Sequence, residues 1–205
     1  MDRRTFLTRL APLIAAPVAL TACGRNGQSQ PSSMQADGRS AAATDSTRYS
    51  APLPRTQIEV VHDVPSTVRP IDTSDAVWRE RLSEEAFYVL FEDGTERAGT
   101  SPLLQENRSG TFICKACHLP LFPSSTKYKS GTGWPSFWAP LPGLVATKDD
   151  SSLGMVRTEY HCRRCKGHHG HVFHDGPDPT GLRYCNNGVA LHFISEGDPL
   201  PDLRA

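Results

Sequence analysis

No stretch of this 205-residue chain is apolar for long enough to cross a bilayer. The longest runs from residue 10 to 22, about 13 positions, and is broken by Pro12 and Pro17. A spanning helix needs about 20. Nor is there an excess of either charge, since 22 Lys and Arg balance 22 Asp and Glu. A neutral chain offers no basic footprint for nucleic acid. No segment repeats. Between residues 24 and 54 the chain is rich in Ser, Gln, Thr, Ala and Gly, with one aromatic, Tyr49. That composition cannot bury a core and reads as a flexible tether. Cysteine is scarce too, at six.

What is present at the N-terminus reads as an address. Arg3-Arg4-Thr5-Phe6-Leu7 looks like a twin-arginine export signal, and the apolar run behind it has the length of a signal peptide's central region. It ends in Leu20-Thr21-Ala22-Cys23, which resembles a bacterial lipobox. Residues 1–22 are then a cleaved signal and Cys23 carries the lipid, on the periplasmic side of a bacterial membrane. The other reading is a plain cleaved signal with Cys23 left as a thiol. Residue 24 is glycine rather than aspartate, which tilts the expected destination towards the outer membrane. Cleavage takes three arginines and one aspartate from a neutral chain, leaving −2. We expect residues 23–65 to be tether and 66–205 one compact domain.

Beyond Cys23 five cysteines remain, and an odd number cannot all pair in an oxidising compartment. Four form two pairs, Cys114-Lys115-Ala116-Cys117 and Cys162-Arg163-Arg164-Cys165. Four thiolates on one tetrahedral metal, zinc before iron, with one thiol left free, accounts for all five. Two disulfides and a leftover thiol is the competing arithmetic. Redox-active Cys-x-x-Cys pairs are a third, but neither pair opens a convincing helix. The 44 residues between the pairs exceed an ordinary zinc ribbon, so the chain must fold back.

The secondary-structure signals are short. Ser74 or Asp75 caps a turn carrying Trp78 and Leu82. Ser83 caps a second helix with Glu84 and Glu85 in its first turn, Phe87, Leu90 and Phe91 on one face, and Gly94 at its end. After that the pattern alternates. Thr111 to Cys114 reads as a strand. So does a run with Val156, Thr158, Tyr160 and Cys162 on one face, and another in which Val189, Leu191 and Phe193 alternate with Ala190, His192 and Ile194. The result is a mainly antiparallel β domain with a short helical lead.

The lone Cys185 stands in Arg183-Tyr184-Cys185-Asn186-Asn187. On a strand, Arg183, Cys185 and Asn187 project from one face. Arg183 favours the thiolate, and Asn187 can orient a substrate oxygen. A lone cysteine is more often a buried structural residue. The polar neighbours, with His168 and His171 upstream, favour a nucleophile instead. Five histidines between 161 and 174 leave a second metal site open. Trp134, Phe137 and Trp138, in a glycine-rich bend, read either as core or as a wall held near the surface.

These motifs, taken in order from Trp78 to Phe193, resemble the B-type methionine sulfoxide reductases, which act on methionine-R-sulfoxide. They include Gly94-Thr95-Glu96-Arg97, both cysteine pairs, Gly133-Trp134-Pro135-Ser136-Phe137, Gly167-His168-His169-Gly170-His171-Val172-Phe173, Asp175-Gly176-Pro177, Thr180 to Cys185, and Leu191-His192-Phe193. The resemblance implies two small antiparallel sheets in a tent-like arrangement, with short N-terminal helices and one structural zinc on Cys114, Cys117, Cys162 and Cys165. It makes Cys185 the thiolate that attacks the sulfoxide sulfur. His168 and His171 hold the sulfoxide oxygen and supply protons. Trp134 and Phe173 form a slot for the methyl group, while Arg183 and Asn187 support the thiolate. The substrate is oxidised protein or free methionine sulfoxide, in protein repair under oxidative stress, and the chain is expected to act as a monomer.

The sequence departs from the family at three positions. Thr132 occupies the place where many members carry a second cysteine that resolves the sulfenic acid. Recycling then falls to an external thiol, from a thioredoxin-fold protein or a small molecule. Asn186 and Gly188 stand where an apolar residue and a serine are expected. A non-catalytic metal-stapled lipoprotein, with Cys185 buried and inert, is the rival from another class. A general thiol-disulfide oxidoreductase is the second.

Overall fold

A computed structural model describes residues 58–154 and 156–204. The signal, Cys23 and most of the expected tether lie outside them. The packed chain begins ahead of residue 66. Ile58 is buried, and Val60, Val64, Val68 and Ile71 pack against the core. Ile71 N–H donates to the Arg164 carbonyl at 2.8 Å, which ties this segment to the second cysteine pair.

Two short helices follow, α1 (Asp75–Arg81) and α2 (Glu84–Phe91). Ser83 caps α2 by accepting a hydrogen bond from Ala86 N–H. Trp78 stacks on Phe91, and α2 buries Ala86, Phe87, Val89 and Leu90. The helix stops earlier than expected. Asp93, not Gly94, takes the left-handed conformation, and a side chain at 94 would have to displace the exposed Tyr88 ring.

Among the described residues, nine strands make two antiparallel sheets, as expected of a mainly β domain. They are β1 (Gly110–Cys114), β2 (Pro120–Pro123), β3 (Lys127–Tyr128), β4 (Ser136–Phe137), β5 (Val145–Asp150), β6 (Arg157–Cys162), β7 (His168–Phe173), β8 (Arg183–Asn186) and β9 (Leu191–Ser195). The smaller sheet is ordered β2-β1-β9 and the larger β3-β4-β8-β7-β6-β5. Val156 and Val189 fall outside the strands expected to hold them. Val156 is exposed, and Val189 lies in the 3-10 turn that precedes β9.

The core fills the space between the sheets. Phe112 and Phe122 of the smaller sheet meet Phe137, Tyr160 and Tyr184 of the larger, with Phe122 and Phe137 stacked at 4.3 Å. Cross-strand register places Val172, Tyr184 and Phe137 in one row on this inner face. Because strand side chains alternate, the next row points outward. It runs Lys148, Glu159, His171, Cys185, Ser136 and Tyr128 across all six strands.

Candidate active site and metal centre

The two cysteine pairs fold into near-identical turns. Cys114 N–H donates to the Leu119 carbonyl, and Cys162 N–H to the Gly167 carbonyl. In each, the residue after the second cysteine is left-handed, His118 at φ 63° and Lys166 at φ 64°. All four cysteines are buried, with sulfurs within 4.8 Å of one another. Cys114 Sγ lies 3.6 Å from Cys165 Sγ, and Cys117 Sγ 3.5 Å from Cys162 Sγ. A disulfide requires about 2.0 Å. Zinc–sulfur bonds of about 2.3 Å set tetrahedral sulfurs about 3.8 Å apart. Burial pushes the Cys114 and Cys162 thiols well up, so four thiolates persist here only around a cation. The donor set and its spacing fit one zinc ion.

Cys185 lies on the outer face, half-buried, on β8. It stands directly opposite His171 on β7 and Ser136 on β4. Side chains at such positions are neighbours. A pocket of about 190 Å³ opens here, lined by Cys185, His171, Trp134, Phe173, Arg157 and Asn187 among others. Trp134 is fixed by donating Nε1–H to the Glu96 carbonyl at 3.1 Å. Phe173 is capped by the Arg183 guanidinium, 4.2 Å from its ring centre. Both line the pocket, and the sequence resemblance assigns both to a methyl slot.

Arg183 also makes a two-pronged pair with Asp175, at 2.8 and 2.9 Å. Its guanidinium lowers the Cys185 pKa, as expected, but it does not decide the net shift. Burial raises the Cys185 pKa and outweighs the lowering by Arg183 and Thr132, so the net shift is upward.

His168 and His171 reach the same side by way of a bulge. Three residues apart on a regular strand, they would face opposite ways. The register slips between Tyr160 and His161, so that His161 pairs with His168 while Tyr160 pairs with Gly170. His169 is the inserted residue, turned into the core beside Tyr160, where burial pulls its pKa down to about 3. The rings of His168 and His171 then meet edge to face at 5.4 Å. His171 lines the pocket. His168 is buried behind it, its Nδ1 3.2 Å from Glu159 Oε1. Gly170 permits the bulge, since a Cβ there would run into the Cys185 carbonyl oxygen.

Asn187 does not continue the strand face. β8 ends at Asn186, and the Asn187 side chain is spent on the frame. Its Nδ2 donates to the His169 carbonyl, and its Oδ1 accepts from Glu96 N–H. It clamps the bulge. Glu96, which sequence reasoning gave no role, is buried, and its carboxylate accepts from Gly188 and Val189 N–H at 2.6 and 2.8 Å. The departures at 186 and 188 have local partners. Asn186 Oδ1 accepts from the Tyr160 hydroxyl at 2.6 Å, and a side chain at 188 would run into Ser101.

Thr132 stands where the resemblance places a resolving cysteine, its Oγ1 4.0 Å from Cys185 Sγ. As for a second metal site, among the described residues only Asp93, Glu159 and His168 gather histidine with other ligand types. There Lys148 Nζ already sits 3.0 Å from Glu159.

A buried four-cysteine centre, together with a thiol–histidine pocket on an antiparallel sheet, defines a metal-stapled thiol enzyme. Residues 82–195 match the SelR domain, and the chain belongs to that family of peptide methionine sulfoxide reductases. It is 52% identical over 124 residues to the peptide methionine sulfoxide reductase MsrB of Agrobacterium fabrum, covering 60% of this chain and 92% of that one. The MsrB of Leptospira interrogans is 50% identical over 127 residues, covering 62% and 97%. That of Caulobacter vibrioides is 52% identical over 130 residues, covering 60% and 81%.

Proposed function

We propose that this protein reduces methionine-R-sulfoxide, free or within a protein, to methionine. The observation that carries the reading is Cys185 set across the sheet from His171, inside a pocket walled by Trp134 and Phe173. The sulfoxide methyl group sits between the two rings. The Cys185 thiolate attacks the sulfoxide sulfur, and the oxygen accepts a proton from His171, with His168 behind it. The substrate sulfur gains two electrons and loses its bond to oxygen. The Cys185 sulfur loses two: the sulfur–sulfur bond made in the attack breaks as the protonated oxygen passes to Cys185, which is left as a sulfenic acid beside methionine. Arg183 favours the thiolate, and Asn187 keeps the histidines in place through the bulge. An external thiol then attacks the sulfenic sulfur, releasing water and forming a mixed disulfide that a second thiol of the reductant clears. Cys114, Cys117, Cys162 and Cys165 would hold zinc, whose contribution is to staple the two sheets.

Turnover of separated R and S epimers tests the activity. Wild type should reduce only the R epimer, and Cys185→Ser should reduce neither. An S preference, or a Cys185→Ser protein that still turns over, defeats the reading.

The N-terminal run further supports export and lipid attachment at Cys23, with a periplasmic domain on a tether and a weak preference for the outer membrane. Mass spectrometry of the protein from its native host should give a mature chain beginning at lipid-bearing Cys23. An intact Met1 terminus contradicts it.

A further inference from the structure

Asp150 closes β5 directly opposite Arg157 on β6, three strands from Cys185. Its side chain is 16% exposed. Its Oδ2 lies 2.7 Å from His171 Nε2 and 2.6 Å from an Arg157 guanidinium nitrogen. Its Oδ1 accepts the Ser152 N–H at 2.8 Å. With Ser152, His171 and Arg157 all donating, the carboxyl is held far below the usual carboxylate range, so it is an anion at every working pH.

His171 touches both the carboxylate and the pocket. Its Nε2 is committed to Asp150, which leaves Nδ1 as the one ring nitrogen for a substrate oxygen. The charged and titratable groups facing the ring are Asp150 from β5, Arg157 and Glu159 from β6, His168 from β7 and Cys185 from β8. Burial draws the His171 pKa down, and the Asp150 contact draws it back up. A partner that fixes one ring nitrogen sets both the orientation and the protonation pattern of the other.

We infer that Asp150, itself outside the pocket, is a positioning residue of the reaction: it grips His171 by Nε2 and presents Nδ1–H to the sulfoxide oxygen. The inference rests on the sulfoxide-reductase reading above. Arg157 and Ser152 serve it in turn, by keeping the carboxylate ionised and aimed. The contact lies at the far end of a strand pair, so nothing in the spacing of His171 from Cys185 announces it.

Asp150→Asn keeps the shape and removes the charge. We expect kcat for the R-sulfoxide to fall about 10- to 100-fold, the usual consequence of losing such a partner, with KM within about twofold. The alkaline limb of the kcat profile should move to lower pH, because a protonated His171 is needed and its support has gone. Asp150→Glu should recover part of the rate. Cys185 alkylation by iodoacetamide should be unchanged, since Asp150 does not touch the thiol. An Asp150→Asn enzyme with the wild-type kcat and pH profile overturns the inference. A second arm needs no variant. In long-range proton–nitrogen NMR spectra of the wild type, the His171 ring should carry its proton on Nε2 when neutral. A neutral ring protonated on Nδ1 overturns the inference even if the variant fails to fold. Absent R-sulfoxide turnover in wild type would instead defeat the underlying reading, and the NMR arm would still decide the Asp150 contact.

Discussion

The described cysteines occupy two kinds of place, built in opposite ways. At the metal end each half-site is one hairpin turn, between β1 and β2 and between β6 and β7. A six-residue stretch supplies both ligands, the left-handed residue and the hydrogen bond that closes the turn. At the thiol face no segment is sufficient. Cys185 comes from β8, His171 from β7, Trp134 from the loop before β4, and Glu96 from beyond α2. The metal end joins the two sheets and tolerates strain, since a left-handed non-glycine residue costs on the order of 1–3 kcal/mol and each turn holds one. The thiol face cannot be stapled in that way, because its thiol must stay open to substrate. It borrows rigidity from buried polar clamps at Glu96 and Asn187.

The sharpest way to break this contrast is to exchange the fates of the two sites. Replacing a metal ligand, as in Cys114→Ser, should cost several kcal/mol or prevent folding, because the metal's binding energy is folding energy. Cys185→Ser should leave the thermal unfolding midpoint near that of wild type while abolishing turnover. Elemental analysis should find one zinc per chain in wild type and in Cys185→Ser. A Cys114→Ser protein that melts with wild type, or a metal-free wild type holding two disulfides, would erase the distinction.

The contrast also explains what the sequence could and could not reveal. Both cysteine pairs, the helix cap at Ser83 and the alternation around Tyr160 are local patterns, and each corresponds to a local structure. Cys185 was legible because nothing else accounted for a lone thiol between polar neighbours. Other features depend on pairing between distant strands. Strand parity sends His168 and His171 to opposite faces, and only the inserted His169 reunites them. Asn187 reads as a third residue on the Cys185 face, but β8 ends one residue earlier. Asp150 and Glu159 carry no sequence signature, and the Gly94–Arg97 motif assigns Glu96 no role, as their partners lie 21, 9 and 92 residues away.

A milder test moves one residue from the thiol face towards the covalent logic of the metal end. Thr132→Cys puts a second sulfur where Oγ1 now stands 4.0 Å from Cys185 Sγ. A disulfide needs sulfurs at about 2.0 Å, so the loop must close by a small shift. Gly131 and Gly133, at φ 77° and 94°, flank the position and leave it that freedom. One turnover without reductant should trap wild-type Cys185 as a sulfenic acid and the variant as an internal disulfide, by mass spectrometry. The four metal cysteines should be unmodified in both. A disulfide from Cys185 to any of them would mean that the two sites communicate chemically.

The smallest effect expected concerns the thiol itself. Burial raises the Cys185 pKa and Arg183 opposes that rise, while Asp175 shares the guanidinium and adds its own negative charge. The two neighbours therefore act with opposite signs. Replacing Arg183 by Gln removes a lowering influence, so the rate of Cys185 alkylation against pH should shift to higher pH. Replacing Asp175 by Asn removes a raising influence and frees the guanidinium, so the same curve should shift to lower pH. Each shift should change the alkylation rate near neutral pH by only a few-fold, because Asp175 is 62% exposed and solvent screens its charge. The pair of signs is the test. If both variants move the curve the same way, the thiol is governed by packing around Phe173, on which Arg183 also rests, rather than by charge.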